Sequence, residues 1–121
     1  MSKRIYIVIP RTIDSPDPPF KVCMSCGRMA AHASHAAGML GRKGVPVDDL
    51  DLIVLSVGSS EELNSVIEKL KESSVDFVEY RDDDHSFFGT LLTAIALFPI
   101  EKGSCQVLNL LKPWRCKCNE V

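Results

Sequence analysis

The segment from Lys3 to Ile9 constrains the fold of this chain most strongly. It reads Lys-Arg-Ile-Tyr-Ile-Val-Ile, so the positions from Ile5 to Ile9 are all apolar, and Pro10 ends the run. A strand with apolar side chains on both sides has to be covered on both faces, which is typical of α/β sheets. The segment therefore predicts a central strand between two layers of helices.

The rest of the chain alternates between strand-like and helix-like segments. The strand-like segments are rich in β-branched and aromatic residues, whereas the helix-like ones repeat apolar residues at helical spacing. The predicted order is a strand at 3–9, a helix at 27–41, a strand at 52–57, a helix carrying Leu63 to Leu70, strands at 75–80 and 91–98, and a short helix at 104–111. This order predicts an α/β protein, specifically a three-layer α/β/α sandwich with a mixed sheet of about four strands.

The segment from Arg11 to Cys23 interrupts this alternation. It contains Pro16, Pro18 and Pro19 among short polar residues, a composition that resists both a helix and a central strand. We expect an exposed loop here.

Length and composition indicate an ordinary globular protein. The chain has 121 residues, of which 45% are apolar and 25% charged, so one domain can bury a core without disulfides. The first apolar run is far shorter than a signal-peptide core or a membrane span. We therefore expect a cytoplasmic protein with no membrane partner.

Charge is distributed unevenly along the chain. The net charge is −2, but the N-terminal third is basic and residues 48–104 are acidic. The field of the whole molecule therefore attracts nucleic acid only weakly, and any such contact has to use a local basic patch.

The five cysteines are expected to be reduced thiols or metal ligands, because the chain shows no secretion signal. No structural disulfide is expected. Cys23 and Cys26 precede His32 and His35, and zinc binds such residues in fours, although this spacing is not that of a common finger. No metal and no cofactor are predicted, and zinc or a redox role for the cysteine pair remain alternatives.

The segment between Gly27 and Gly41 is rich in alanine and lacks proline. High helix propensity, Ser25 as a cap, and the glycines at its end predict a helix. Its small apolar residues lie on one face that can approach a sheet closely, namely Met29, Ala30, Ala33, Ala36, Ala37 and Leu40.

One row of this helix, beside the apolar face, carries Arg28, His32 and His35. In the first turn, Arg28 adds a charge to the positive end of the helix dipole, which suits a bound anion or a developing oxyanion. Alternatively, Arg28 is solvated and the histidines make buried hydrogen bonds.

The segment from Met24 to Ala37 reads M-S-C-G-R-M-A-A-H-A-S-H-A-A. It resembles the M-G-K-G-K-x-A-A-Q-x-S-H-A-A segment of the type 2 peptidyl-tRNA hydrolases. Arg81-Asp82 is similar to the R-D that ends a strand in that family, and 93–99 is similar to its T-A-x-A-x-G-P strand. The resemblance implies a single peptidyl-tRNA hydrolase-like domain over residues 1–121.

The resemblance also implies a site. Arg28 stands at the position of the family's lysine, His32 at that of its glutamine, and Asp82 at that of its aspartate, while Thr90 is the nearest threonine to supply a hydrogen bond. Arginine keeps the charge but does not shuttle protons, so His32 becomes the candidate base, oriented by Asp82 or Asp83. Either His32 or Asp82 is expected to position the water. Phosphate contacts are expected from Lys21, His35, Arg42 and Lys43.

The function implied is hydrolysis of the ester in peptidyl-tRNA or a related aminoacylated substrate. The alternative is a non-catalytic relative with the same fold that binds RNA, a protein or a small ligand through the same helix face. The sequence does not determine the oligomeric state, and a homodimer is the assembly considered.

Near the C-terminus, Trp114 lies among Lys112, Arg115 and Lys117. An aromatic residue among cations suits RNA, whereas the alternative is a tryptophan that attaches the end of the chain to the core.

Overall fold

The computed structural model describes residues 3–16, 19–81 and 91–115, including their side chains except those of 14–22. The strands are β1 Lys3–Pro10, β2 Thr12–Pro16, β3 Pro19–Cys23, β4 Asp51–Val57, β5 Phe77–Arg81, β6 Leu92–Leu97, β7 Ile100–Glu101 and β8 Lys112–Pro113. The helices are α1 Cys26–Arg42, α2 Ser60–Glu72 and α3 Gln106–Asn109, with a short 3-10 helix at Val47–Asp49.

The main sheet is mixed and contains six of the described strands. Its order is β5-β6-β1-β4-β8, and β7 pairs with the beginning of β1. Strand β1 runs parallel to β4 and antiparallel to β6, while β5 and β6 are antiparallel. The expectation of an α/β protein with a mixed sheet is therefore confirmed. The sequence missed β7 and β8, because two residues are too few to show a periodic pattern.

Strand β1 is buried on both faces, as its sequence predicts. Ile5, Ile7 and Ile9 belong to one cluster of buried side chains, which also contains Ala33, Ala36 and Leu40 of α1. Tyr6 and Val8 belong to a second cluster. That cluster also contains four residues of α2 and one of α3, namely Leu63, Val66, Ile67, Leu70 and Leu108. Helix α1 therefore covers one face of the sheet, and α2 and α3 cover the other.

Helix α1 begins and ends close to its predicted bounds. The Ser25 hydroxyl accepts a hydrogen bond from the Arg28 backbone N–H at 3.2 Å, which confirms Ser25 as the cap. The predicted apolar face is correct at Ala33, Ala36 and Leu40, but Ala30 is exposed. His32 is buried instead. The face of α1 that packs against the sheet is therefore rotated, relative to the predicted apolar face, toward the row that carries the two histidines.

The expectation of a loop between Arg11 and Cys23 is wrong. Strands β2 and β3 form an antiparallel hairpin separate from the main sheet, with Pro16 opposite Pro19. Proline lacks a backbone N–H and is therefore tolerated at the ends of edge strands. Both prolines occupy the ends of their strands, where a ladder loses least from a missing donor.

Beyond the sheet, the last helix is shorter than predicted. Four residues, Gln106–Asn109, are helical where the sequence predicts 104–111, and the chain then returns to β4 through β8.

Among residues 3–16, 19–81 and 91–115, no helix combines the length and the apolar character that crossing a membrane requires.

Candidate functional site

Several chain segments converge at one edge of the main sheet. Strands β1, β4 and β5 point in the same direction, since β1 is parallel to β4, and β5 and β1 are both antiparallel to β6. Their carboxyl ends therefore lie at one edge. The start of α1 lies there too, because the Met24 backbone N–H donates to the Arg11 carbonyl, just beyond β1, at 2.7 Å. Ligands of open α/β sheets commonly bind outside this edge.

A buried polar pair lies between α1 and β6 at this edge. The His32 Nδ1 is 3.0 Å from the Thr93 Oγ1, and the two residues are 5% and 0% exposed. Either atom can carry the shared proton, depending on the tautomer of the imidazole. The hydrogen bond sets the orientation of the ring, as a catalytic histidine requires.

A β-bulge explains how Thr93 reaches His32. Tyr80 is paired with Ala94 and Arg81 with Leu92, so Thr93 has no residue opposite it in β5. Ala94 packs on the α1 side of the sheet and Leu92 on the α2 side. In a regular strand Thr93 would face α2, but the extra residue of the bulge turns its side chain toward α1.

Tyr80 joins the two predicted histidines into one aromatic cluster. Its ring lies 5.1 Å from that of His35 in a stacked arrangement and 5.6 Å from that of His32 in a tilted one. His35 is exposed, whereas His32 is buried. We call His32, His35, Tyr80 and Thr93 the histidine cluster.

Sequence reasoning missed two members of the histidine cluster. Tyr80 immediately precedes the Arg81-Asp82 motif, so its place beside that motif indicates a residue close to the site. Thr93 begins the strand motif that the resemblance singled out, but its orientation depends on the bulge. The sequence analysis predicts the nearby Thr90 as the hydrogen-bonding threonine instead.

Arg28 lies one helical turn before His32, in the first turn of α1, and is half-buried. The backbone N–H groups and the dipole of the helix start make this end of α1 positive. Together, a guanidinium and an oriented imidazole on one row can bind an anion beside a proton acceptor.

Two of the predicted phosphate-binding residues lie far from Arg28. Arg42 and Lys43 lie at the other end of α1, about 21 Å from Arg28 along the helix axis. Both are exposed. Lys21 belongs to β3, and its side chain is outside the described set. The structure therefore does not bring Arg42 and Lys43 to the histidine cluster.

Asp82 and Thr90 lie outside the described residues. Asp82 follows Arg81, the last residue of β5, which reaches the same edge of the sheet as the histidine cluster. The guanidinium of Arg81 forms an ion pair with Glu79 at 3.1 Å.

The expectation that no cysteine forms a disulfide is wrong at Cys26. This residue is disulfide-bonded, whereas Cys23 and Cys105 are free thiols. Disulfides depend on which residues the fold brings together, which spacing along a chain does not show.

Within the described part of the chain no three His, Cys, Asp or Glu residues are grouped as metal ligands. Because Cys26 is disulfide-bonded, it is not available as one of the four zinc ligands of that alternative.

Trp114 packs against the core, as one of its two interpretations predicts. Its side chain contacts the cluster under α1, and its backbone N–H donates to the Val54 carbonyl at 2.8 Å. The Arg11 Cζ lies 4.6 Å from the centroid of the ring. The tryptophan therefore attaches the end of the chain to the sheet and holds a cation.

Comparison with known proteins adds no relative. No protein-family model matches the chain, and no curated protein matches it significantly. Neither comparison assigns a family.

Proposed function

We propose that this protein hydrolyses the ester bond of peptidyl-tRNA or of a related aminoacylated substrate, without a cofactor. The observation that carries the proposal is the buried His32–Thr93 hydrogen bond, one helical turn from Arg28 at the carboxyl edge of the sheet. The resemblance of residues 24–37, 81–82 and 93–99 to the type 2 peptidyl-tRNA hydrolases supports it. So does the order of the long elements, with helices on both faces of a mixed sheet.

Arg28 would bind the negative charge. Attack of water on an ester carbonyl places charge on the carbonyl oxygen, and a guanidinium at a helix start stabilises that charge with two parallel donors. Arginine side chains do not transfer protons in proteins, so the contribution of Arg28 would be electrostatic.

His32 would position and deprotonate the attacking water. An imidazole is a suitable base near neutral pH. For its Nε2 to accept a proton from water, the Nδ1 carries the hydrogen and donates it to the Thr93 Oγ1 at 3.0 Å, which also holds the ring in one orientation. The proton then passes to the ribose oxygen as the ester bond breaks. In this proposal Asp82 helps to position the water and Thr90 donates a further hydrogen bond, because the resemblance implies that an aspartate and a threonine at these positions take part in catalysis.

One observation favours the non-catalytic alternative. His32 is only 5% exposed, and a buried histidine bonded to a threonine also serves as a purely structural element of a core. In that case Arg28 and the exposed His35 would form a binding surface for RNA, a protein or a small ligand.

The deciding experiment measures release of a labelled N-blocked amino acid from tRNA by the purified protein. We expect hydrolysis that survives a chelator, and Arg28→Ala should lower kcat/KM by about 100-fold or more, the usual cost of losing one oxyanion donor. Lys71→Ala, an exposed cation in the last turn of α2, is the control and should leave the rate unchanged. A wild-type protein that binds tRNA without releasing the amino acid would support the binding module.

The base role of His32 is tested separately in the same assay. His32→Gln introduces the family's residue, which accepts and donates hydrogen bonds but takes up no proton. If His32 is the base, the rate should fall by about 100-fold or more. A variant that retains full activity would exclude proton transfer by His32 while leaving the role of Arg28 in place.

A further inference from the structure

A pocket lies at the same edge of the sheet, next to the end of β4 and away from the histidine cluster. Its volume is about 300 Å³, at the lower end of the range of small-ligand pockets, roughly 300–1,000 Å³. Its walls come from four parts of the chain, represented by Arg11, Val57, Gly58, Glu62, Leu110 and Lys112.

Arg11 is held in place on one side of this pocket. Its guanidinium lies over the Trp114 ring, and its Nη1 donates to the Arg115 carbonyl at 3.3 Å. Its backbone N–H also donates to the Val57 carbonyl at 2.8 Å. A cation fixed in this way loses little conformational freedom when it binds an anion.

The opposite wall is fixed by hydrogen bonds to Gly58. The Gly58 N–H donates to the Glu62 Oε2, and the Thr12 Oγ1 donates to the Gly58 carbonyl, both at 2.8 Å. Since the Glu62 carboxylate already occupies the start of α2, an anionic ligand is directed toward Arg11 and Lys112 rather than toward the helix.

The pocket also has an apolar wall. Leu110 is 83% exposed, and it lines the pocket together with Val57 and Leu111. A single exposed leucine is ordinary on a protein surface. Beside two cations, however, it provides a place for the apolar part of an anionic ligand.

We propose that this pocket binds a nucleotide. The phosphate contacts Arg11 and Lys112, and the base lies against the leucines and the guanidinium plane that rests on Trp114, since arginine planes stack with bases. Two cations outweigh the single carboxylate of Glu62, so the balance of charge favours an anion. The inference goes beyond the proposed function, because a nucleotide binds here whether or not the ester is cleaved.

Trp114 provides the signal for a test, because it is the only tryptophan in the chain and contacts Arg11. Adenosine monophosphate should change its fluorescence saturably and bind at least about tenfold more tightly than adenosine or inorganic phosphate, since each of these retains half of the contacts. No saturable change with millimolar adenosine monophosphate would overturn the proposal. Equal affinity for inorganic phosphate would reduce the pocket to an anion site and also overturn it.

Variants locate the nucleotide. Lys112→Gln leaves the contact between Arg11 and Trp114 intact and should weaken binding about tenfold, the usual range for a lost charged contact. Leu110→Ser should weaken binding of the nucleotide but not of phosphate. Lys69→Gln, at the far end of α2, is the control, and calorimetry measures all affinities. Full nucleotide affinity in Lys112→Gln would contradict the proposed nucleotide site. The ester assay with Arg28→Ala tests the proposed hydrolase activity independently.

Discussion

At the scale of single residues, the His32–Thr93 pair is the most unusual part of the core. The cluster under α1 is otherwise built from isoleucine, alanine, leucine, valine and methionine side chains. Burying a polar group costs free energy unless it is paired. Thr93 therefore reduces the cost of placing an imidazole in the core and, at the same time, orients it.

We expect Thr93→Val to lower the free energy of unfolding by about 1–3 kcal/mol, because the His32 Nδ1 loses a partner while the side chain keeps its shape. Urea denaturation measures the change. Thr93→Ser is the matched control, since it keeps the hydroxyl and removes only a methyl group. A valine variant less perturbed than the serine variant would show that this hydrogen bond contributes nothing to stability.

At the scale of elements, α1 positions the candidate site through its first turns. The cap at Ser25 fixes where the helix starts. The position of this start determines which side chains of α1 face the sheet. Helix α2 begins in the same way, since the Ser59 hydroxyl accepts from the Glu62 N–H at 3.2 Å. Both caps lie at the carboxyl edge, where the histidine cluster and the pocket beside Arg11 are.

A serine pair within α1 tests the cap. Ser25→Ala should destabilise the protein by about 1 kcal/mol, because a donor at the helix start loses its acceptor. Ser34 bonds back to the Ala30 carbonyl at 2.8 Å in the middle of the helix, so Ser34→Ala should be neutral or slightly stabilising. Chemical denaturation compares the two. Equal effects would mean that the cap has no special role.

At the scale of the whole molecule, the sheet separates two apolar layers that share β1. The layer under α1 contains the buried polar pair, whereas among the described residues the buried cluster under α2 and α3 consists of aliphatic side chains together with Tyr6 and Cys105. We infer that the α2 layer contributes mainly stability and that the α1 layer accommodates the site.

Leu70→Ala tests this division. The side chain is 0% exposed in the layer under α2, so its truncation should cost about 2–5 kcal/mol of stability while the folded fraction keeps its rate in the ester assay. Leu52→Ala, at 42% exposure, should cost less than about 1 kcal/mol. Thermal denaturation measures both. A loss of rate in fully folded Leu70→Ala protein would contradict the separation of roles.

The sequence by itself determined the features that depend on neighbours along the chain. The uninterrupted run of apolar side chains predicted β1 and its burial on both faces, and the cap and alanine content predicted α1 closely. Arg28, His32 and His35 share a row because of helical spacing alone. These features follow from backbone geometry and local hydrogen bonding, which act within a few residues.

Only the tertiary structure decided the features that join distant segments. The hairpin at 12–23, the bulge that turns Thr93 toward His32, the disulfide at Cys26, and the contact between Arg11 and Trp114 each depend on where another part of the chain lies. Local patterns do not encode these contacts, because their free energy comes from pairing and burial between segments brought together by folding. The candidate residues could therefore be named from the sequence, whereas the surroundings that give them chemistry could not.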